Sequence, residues 1–80
     1  MARGAGRFRL ADGEIIDLYA ERLFAVYEEL WTISAEPGAV STAALLLHAQ
    51  RPLSSAEPIE LDERQSAVFR LAQSRLAHPA

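Results

Sequence analysis

Arg7-Phe8-Arg9-Leu10-Ala11-Asp12-Gly13-Glu14-Ile15-Ile16-Asp17 is the stretch on which the fold class turns. Two short apolar-containing segments, Arg7 to Leu10 and Glu14 to Asp17, flank Ala11-Asp12-Gly13. Asp-Gly between such segments is a hairpin signal, because both positions of the favoured two-residue turn must tolerate positive φ. The competing reading starts a long helix with Asp12 as N-cap and Glu14 in its first turn; Gly13 and the β-branched pair Ile15-Ile16 weigh against it. A hairpin over 7–17 makes the chain a small α+β domain. A helix there would make it a mostly α-helical bundle, which is the alternative.

Downstream of the hairpin the pattern changes from period 2 to period 3.6. From Leu18 to about Ser34, Tyr19, Leu23, Val26, Leu30 and Ile33 recur at helical spacing, with Asp17 placed to cap the helix. The apolar arc extends through Tyr27, Ala20, Trp31 and Phe24 to about half the circumference, wider than the roughly 100° stripe of a surface helix. Glu21, Arg22, Glu28 and Glu29 fill the remaining face as solvated charge. Pro37-Gly38 interrupts the pattern. A second helix is expected from Ala39 or Ser41 to Gln50, where Pro52 stops it. Val40, Ala44 and Leu47 share one face with Ala43 beside them, and Leu45 and Leu46 project away from it, so this helix is apolar nearly all round.

Pro52 to Pro58 reads as a loop and Ile59-Glu60-Leu61 as part of a short strand over 58–61, able to join the hairpin. Asp62 as N-cap with Gln65 three residues on forms a capping box for a last helix, Glu63 to Ala77, whose stripe is Leu61, Val68, Phe69, Ala72 and Leu76. The element order is therefore β-β-α-α-β-α. Ile16-Asp17-Leu18 and Ile59-Glu60-Leu61 each precede a helix, a recurrence of one strand-to-helix pattern.

Eighty residues suffice for one core, so a single domain over 7–77 is expected, with 1–6 a flexible basic arm and 78–80 a short tail. Without cysteine there is no disulfide, thiolate metal site or cysteine nucleophile. The longest apolar run, Ala43 to Leu47, is far short of the roughly 20 residues a membrane span needs, and acidic residues from Asp12 to Asp17 stand where a signal peptide needs its apolar region. No membrane association and a cytoplasmic location are the default expectations.

Motifs for chemistry are missing. There is no glycine-rich phosphate loop and no lysine to place on a phosphate. His48 and His78 fall in no metal-ligand spacing, so neither a metal nor another cofactor is expected. Ser41, His48 and Asp62 are the one nucleophile set that avoids the terminal histidine, yet Ser41 and His48 on one helix would be separated by about 10.5 Å of rise. Glu28 and Glu29, as helical neighbours, point about 100° apart and cannot act as a facing acid–base pair. No catalytic residue is assigned and the chain is read as non-enzymatic.

The net charge of −3 argues against nucleic acid as a partner. A DNA-binding regulator using Arg64 and Arg75 of the last helix, with Arg70 on another side, is the second reading; about eleven residues between the last two helices are too many for a helix-turn-helix joint. The first reading is a protein-interaction or self-association module. Phe24, Tyr27 and Trp31 of the first helix and Leu45 and Leu46 of the second exceed what one hairpin and one further helix should cover, and are the candidate interface for a second copy or another protein. The competing placement puts Phe24 and Trp31 at the ends of a monomer core.

Overall fold

The computed structural model describes residues 6–48 and 57–77. Along the chain come β1 (Gly6–Arg9), β2 (Ile15–Leu18), α1 (Ala20–Thr32), α2 (Pro37–Leu47), β3 (Ile59–Glu60) and α3 (Glu63–Ala77). The chain is an α+β domain in the order its sequence predicts. Of the arm expected over 1–6, Gly6 instead opens β1, and residues 1–5 lie outside the described residues, as do most of the Pro52–Pro58 loop and the tail with His78.

β1 is the middle strand of a three-stranded sheet ordered β2-β1-β3, antiparallel to β2 and parallel to β3. Phe8 lies opposite Ile16 on one side and Ile59 on the other. Strand alternation turns Gly6 and Phe8 inward and Arg7 and Arg9 outward. On the outer face Arg7 meets its cross-strand partner Asp17 through Nε–Oδ1 at 2.8 Å, and Arg9 reaches Glu60 at 3.4 Å.

The hairpin connection differs in one respect from the turn expected. Leu10 N–H donates to the Glu14 carbonyl and Gly13 N–H to the Leu10 carbonyl, both at 2.9 Å. Among the described residues only Gly13 has positive φ, at 96°. The loop is therefore the three-residue form, Ala11 to Gly13, closed by one left-handed residue. Asp12 has no positive φ; its Oδ1 accepts the Glu14 N–H at 2.9 Å, a local bond for which Asp is suited in turns.

Leu23, Val26, Leu30 and Ile33 of the first helical segment are buried as their spacing predicts, whereas Tyr19, the first of that series, is 61% exposed. Its start is corrected: Tyr19, not Asp17, is the N-cap, and no side chain caps the helix. Asp17 is held in β2 by Arg7, and the strand runs on to place Leu18 in the core, which delays the helix by two residues. α2 begins earlier than expected because Pro37 occupies its first turn, where a missing N–H costs nothing. It ends at Leu47, short of the expected Gln50, with His48 as C-cap.

α3 has the bounds and the cap its sequence predicts. Gln65 N–H donates to Asp62 Oδ1 at 2.7 Å, while Asp62 N–H donates to Gln65 Oε1 at 2.9 Å, so both arms of the capping box are made. The three helices pack against one another. One core joins them to the sheet, with the Phe8 and Phe69 rings 5.6 Å apart. The hairpin turn is docked on α3 as well: Ala11 N–H donates to the hydroxyl of buried Ser66 at 2.8 Å.

α2 turns inward a face that its apolar pattern did not single out. Its buried residues are Gly38, Ala39, Thr42, Ala43 and Leu46, whereas Val40, Ala44 and Leu47 are exposed. Small residues face inward because α2 lies close against α3: a Cβ on Gly38 would meet Arg64 Cγ at 2.7 Å and the Arg64 carbonyl oxygen at 3.0 Å. Thr42 is tolerated there because its hydroxyl donates back to the Gly38 carbonyl at 2.7 Å.

Candidate functional site

The widest departure from a solvated surface lies on the outer side of α1 and α2. Phe24 is 64% exposed and Trp31 50%, about one and three turns beyond exposed Ala20 on α1. Tyr27, half-buried between them and α2, holds Trp31 edge to face at 6.1 Å. On α2, Val40 and Leu47 are 52% and 54% exposed. A groove of about 490 Å³ runs between the two helices, lined by Ala20, Glu21, Leu23, Phe24, Tyr27, Leu46 and Leu47.

Three of the five residues expected at an interface, Phe24, Tyr27 and Trp31, are together on this face. The other two, Leu45 and Leu46 of α2, are less exposed than Phe24 and Trp31. Leu46 is 2% exposed; it belongs to the core and forms the floor of the groove. Leu45 is half-buried and packs against the core. The large apolar residues exposed on α2 are instead Val40 and Leu47, which the sequence places on one face with Ala44. The signal that could have found them is the spacing of small residues: Gly38 and Thr42, Ala39 and Ala43 stand four apart and mark the close-packed side.

Charge around the face is uneven. Glu21 lines the groove, and Glu28 follows two turns later on the same side of α1. Neither makes an ion pair among the described residues. α2 carries no charged residue. By contrast the acids of the sheet side are matched by arginine: Asp17 by Arg7, Glu60 by Arg9, and both Asp12 and Glu14 by Arg70 at 2.6 and 2.8 Å. Arg75 engages Glu29 at 2.8 Å. Hydrogen bonding to Glu14, with the Asp12 charge behind it, raises the pKa of the Arg70 guanidinium, and the Asp17 carboxylate does the same for Arg7.

No family model matches the chain, and neither the curated proteins nor the solved structures contain a significant match.

These pairings also bear on the other candidate residues. Arg70 and Arg75 are engaged by carboxylates of their own chain, and Arg64 lies with its Cγ close to Gly38, so two of the three arginines of α3 have their guanidinium groups in ion pairs. Ser41 Oγ donates to the Gly38 carbonyl and accepts from Gln65 Nε2, while Asp62 is committed to the capping box. His48 is exposed at the end of α2. Among the described residues no group of His, Cys, Asp or Glu is arranged to hold a metal ion, and no helix is long and apolar enough to cross a membrane.

Proposed function

We propose that this chain is a non-enzymatic protein-interaction module whose contact surface is the outer face of α1 and α2, which receives a helix of another chain. The observation that carries the reading is the convergence of Phe24, Tyr27 and Leu47 around one groove, with Trp31 and Val40 exposed on the same two helices. Scattered apolar residues would need no explanation; a contiguous set does.

Area supports the reading. With fully exposed large side chains presenting about 150–250 Å², the exposed fractions of Phe24, Trp31, Val40 and Leu47 amount to roughly 400 Å² of apolar surface. An interface is usually about 60% apolar, so one centred here would bury roughly 650 Å² of this chain, close to the roughly 800 Å² per partner of a stable complex. A cleft between two neighbouring helices is a shape into which an amphipathic helix can lay its apolar stripe.

Trp31 is the one tryptophan of the sequence and stands on the face, so its fluorescence reports occupancy. A tryptophan-free helical peptide with leucines at i, i+3, i+4 and i+7 should shift its emission to the blue with saturation. Phe24→Gln or Leu47→Gln should abolish the shift and leave the thermal melt unchanged. Absence of a saturable shift with such peptides, whatever the charge of their polar face, would overturn the proposal.

A further inference from the structure

Resting on that reading, we infer the chemistry of the occupant: a basic amphipathic helix, its apolar stripe over Phe24, Tyr27, Leu46 and Leu47 and its Lys or Arg flank against Glu21 and Glu28. The charge distribution carries the inference. Every acid named on the sheet side has an arginine of its own chain within 3.4 Å, as does Glu29 on the α3 side of α1. Glu21 and Glu28, which border the exposed aromatic stripe, have none among the described residues. Glu36, Asp62 and Glu63 have no ion pair among the described residues either, but Asp62 caps α3 and neither Glu36 nor Glu63 lines the groove, so Glu21 and Glu28 are the unpaired acids beside the apolar stripe.

The arrangement is also one-sided. Glu21 and Glu28 are on the α1 wall, seven residues and about 10.5 Å of helix rise apart. The opposite wall, α2, is Pro-Gly-Ala-Val-Ser-Thr-Ala-Ala-Leu-Leu-Leu, with no charge at all. A helix lying along the groove therefore meets carboxylates along one flank only. Its own cations belong about two turns apart on that flank, and its other flank is neutral.

A second copy of this chain fits less well. A two-fold contact across this face would confront Glu21 and Glu28 with the same residues of the other copy, four carboxylates with no cation supplied by either face. Arg7, Arg9, Arg70 and Arg75 are already engaged within the chain. Arg22, on the far side of α1, bonds Gln73 of α3 at 3.3 Å.

The test uses three tryptophan-free peptides sharing one leucine stripe, with lysines, glutamines or glutamates at two flank positions seven apart, titrated against Trp31 fluorescence of the full chain. At about 0.02 M salt the lysine peptide should bind roughly fivefold tighter than the glutamine peptide, and the glutamate peptide more weakly than either. The preference should collapse at about 0.5 M salt. The double variant Glu21→Gln/Glu28→Gln should abolish the preference, so that the lysine and glutamine peptides bind it alike; Glu63→Gln on α3 should leave the preference intact. Equal binding of lysine and glutamine peptides, or a preference that survives the double variant, overturns the basic occupant and leaves the docking face standing. Failure of all three peptides overturns the docking face as well. A dimer seen by light scattering and dissolved by Phe24→Gln assigns the face to a second copy and overturns the inference.

Discussion

Arg70 Nη2 stands 2.6 Å from Asp12 Oδ2, tying α3 to the hairpin turn across 58 residues of sequence. The same guanidinium reaches Glu14, so the turn and the last helix form one electrostatic unit. The Glu14 N–H bond, and after it the Arg70 charge, hold the Asp12 carboxyl below its ordinary pKa. A carboxyl depressed in the folded state adds stability that is fully present above its unfolded pKa of 3.8 and is lost as the pH falls through the lower folded value. Asp12→Asn should therefore melt below the parent chain at neutral pH, and the two melts should converge as the pH falls below 3.8. Thermal melts from pH 7 to 2 check this; a constant difference across that range would disprove the linkage. Added salt should narrow the neutral-pH difference, because the ion pair is exposed.

Ser66 holds the same turn from within. Its hydroxyl receives the Ala11 N–H at 2.8 Å, and its side chain is buried where the hairpin meets α3. Ser66→Ala removes that acceptor at a cost of about 1 kcal/mol, partly offset by the better helix propensity of alanine. The expected outcome is a modest fall in melting temperature together with faster hydrogen exchange at the Ala11 and Gly13 amides. Unchanged exchange there would mean that the bond does not fasten the turn.

Gly38 reverses an ordinary expectation for helices. Gly→Ala inside a helix normally stabilises by about 1 kcal/mol. At this position the new Cβ would meet Arg64 Cγ at 2.7 Å and the Arg64 backbone at 3.0 Å, so α2 and α3 must move apart. Gly38→Ala should destabilise by about 1–3 kcal/mol, as overpacking does. Arg64→Ala, which removes the Cγ but not the backbone contact, should recover part of that loss. A double-mutant cycle measured by urea unfolding gives the coupling; additive effects would show that the side chain is not what the alanine meets.

These contacts separate what the residues made legible from what they did not. Asp62 and Gln65 reveal α3 because a capping box is local, and Asp12-Gly13 reveals a hairpin because the need for a left-handed residue is local. The start of α1 was hidden because Asp17 is equally suited to cap a helix and to pair with Arg7 across a strand; the partner that decides is ten residues away. α2 was hidden more deeply. A helix apolar all round carries no directional signal, and its orientation is set by how closely α3 approaches, a property of Gly38 and Arg64 together. The apolar surplus on α1 was visible in Phe24, Tyr27 and Trp31, while its continuation through Val40 and Leu47 follows from that orientation and so needed the fold.

The orientation of α2 can be tested directly through neighbouring leucines. Leu46 and Leu47 are adjacent and chemically identical, but Leu46 is 2% exposed and Leu47 54%. Leu46→Ala should cost about 2–5 kcal/mol through lost burial and the cavity left behind. Leu47→Ala, on the solvent side, should change stability by no more than about 0.5 kcal/mol, since alanine is at least as good a helix former. Phe24→Gln should be similarly neutral; glutamine is the informative replacement there, because glutamate would stand three and four residues from Glu21 and Glu28 and add repulsion of its own. Chemical denaturation of the three variants ranks them. Equal costs at 46 and 47 would mean that α2 is rotated from the position described, and would remove Leu47 from the wall of the groove.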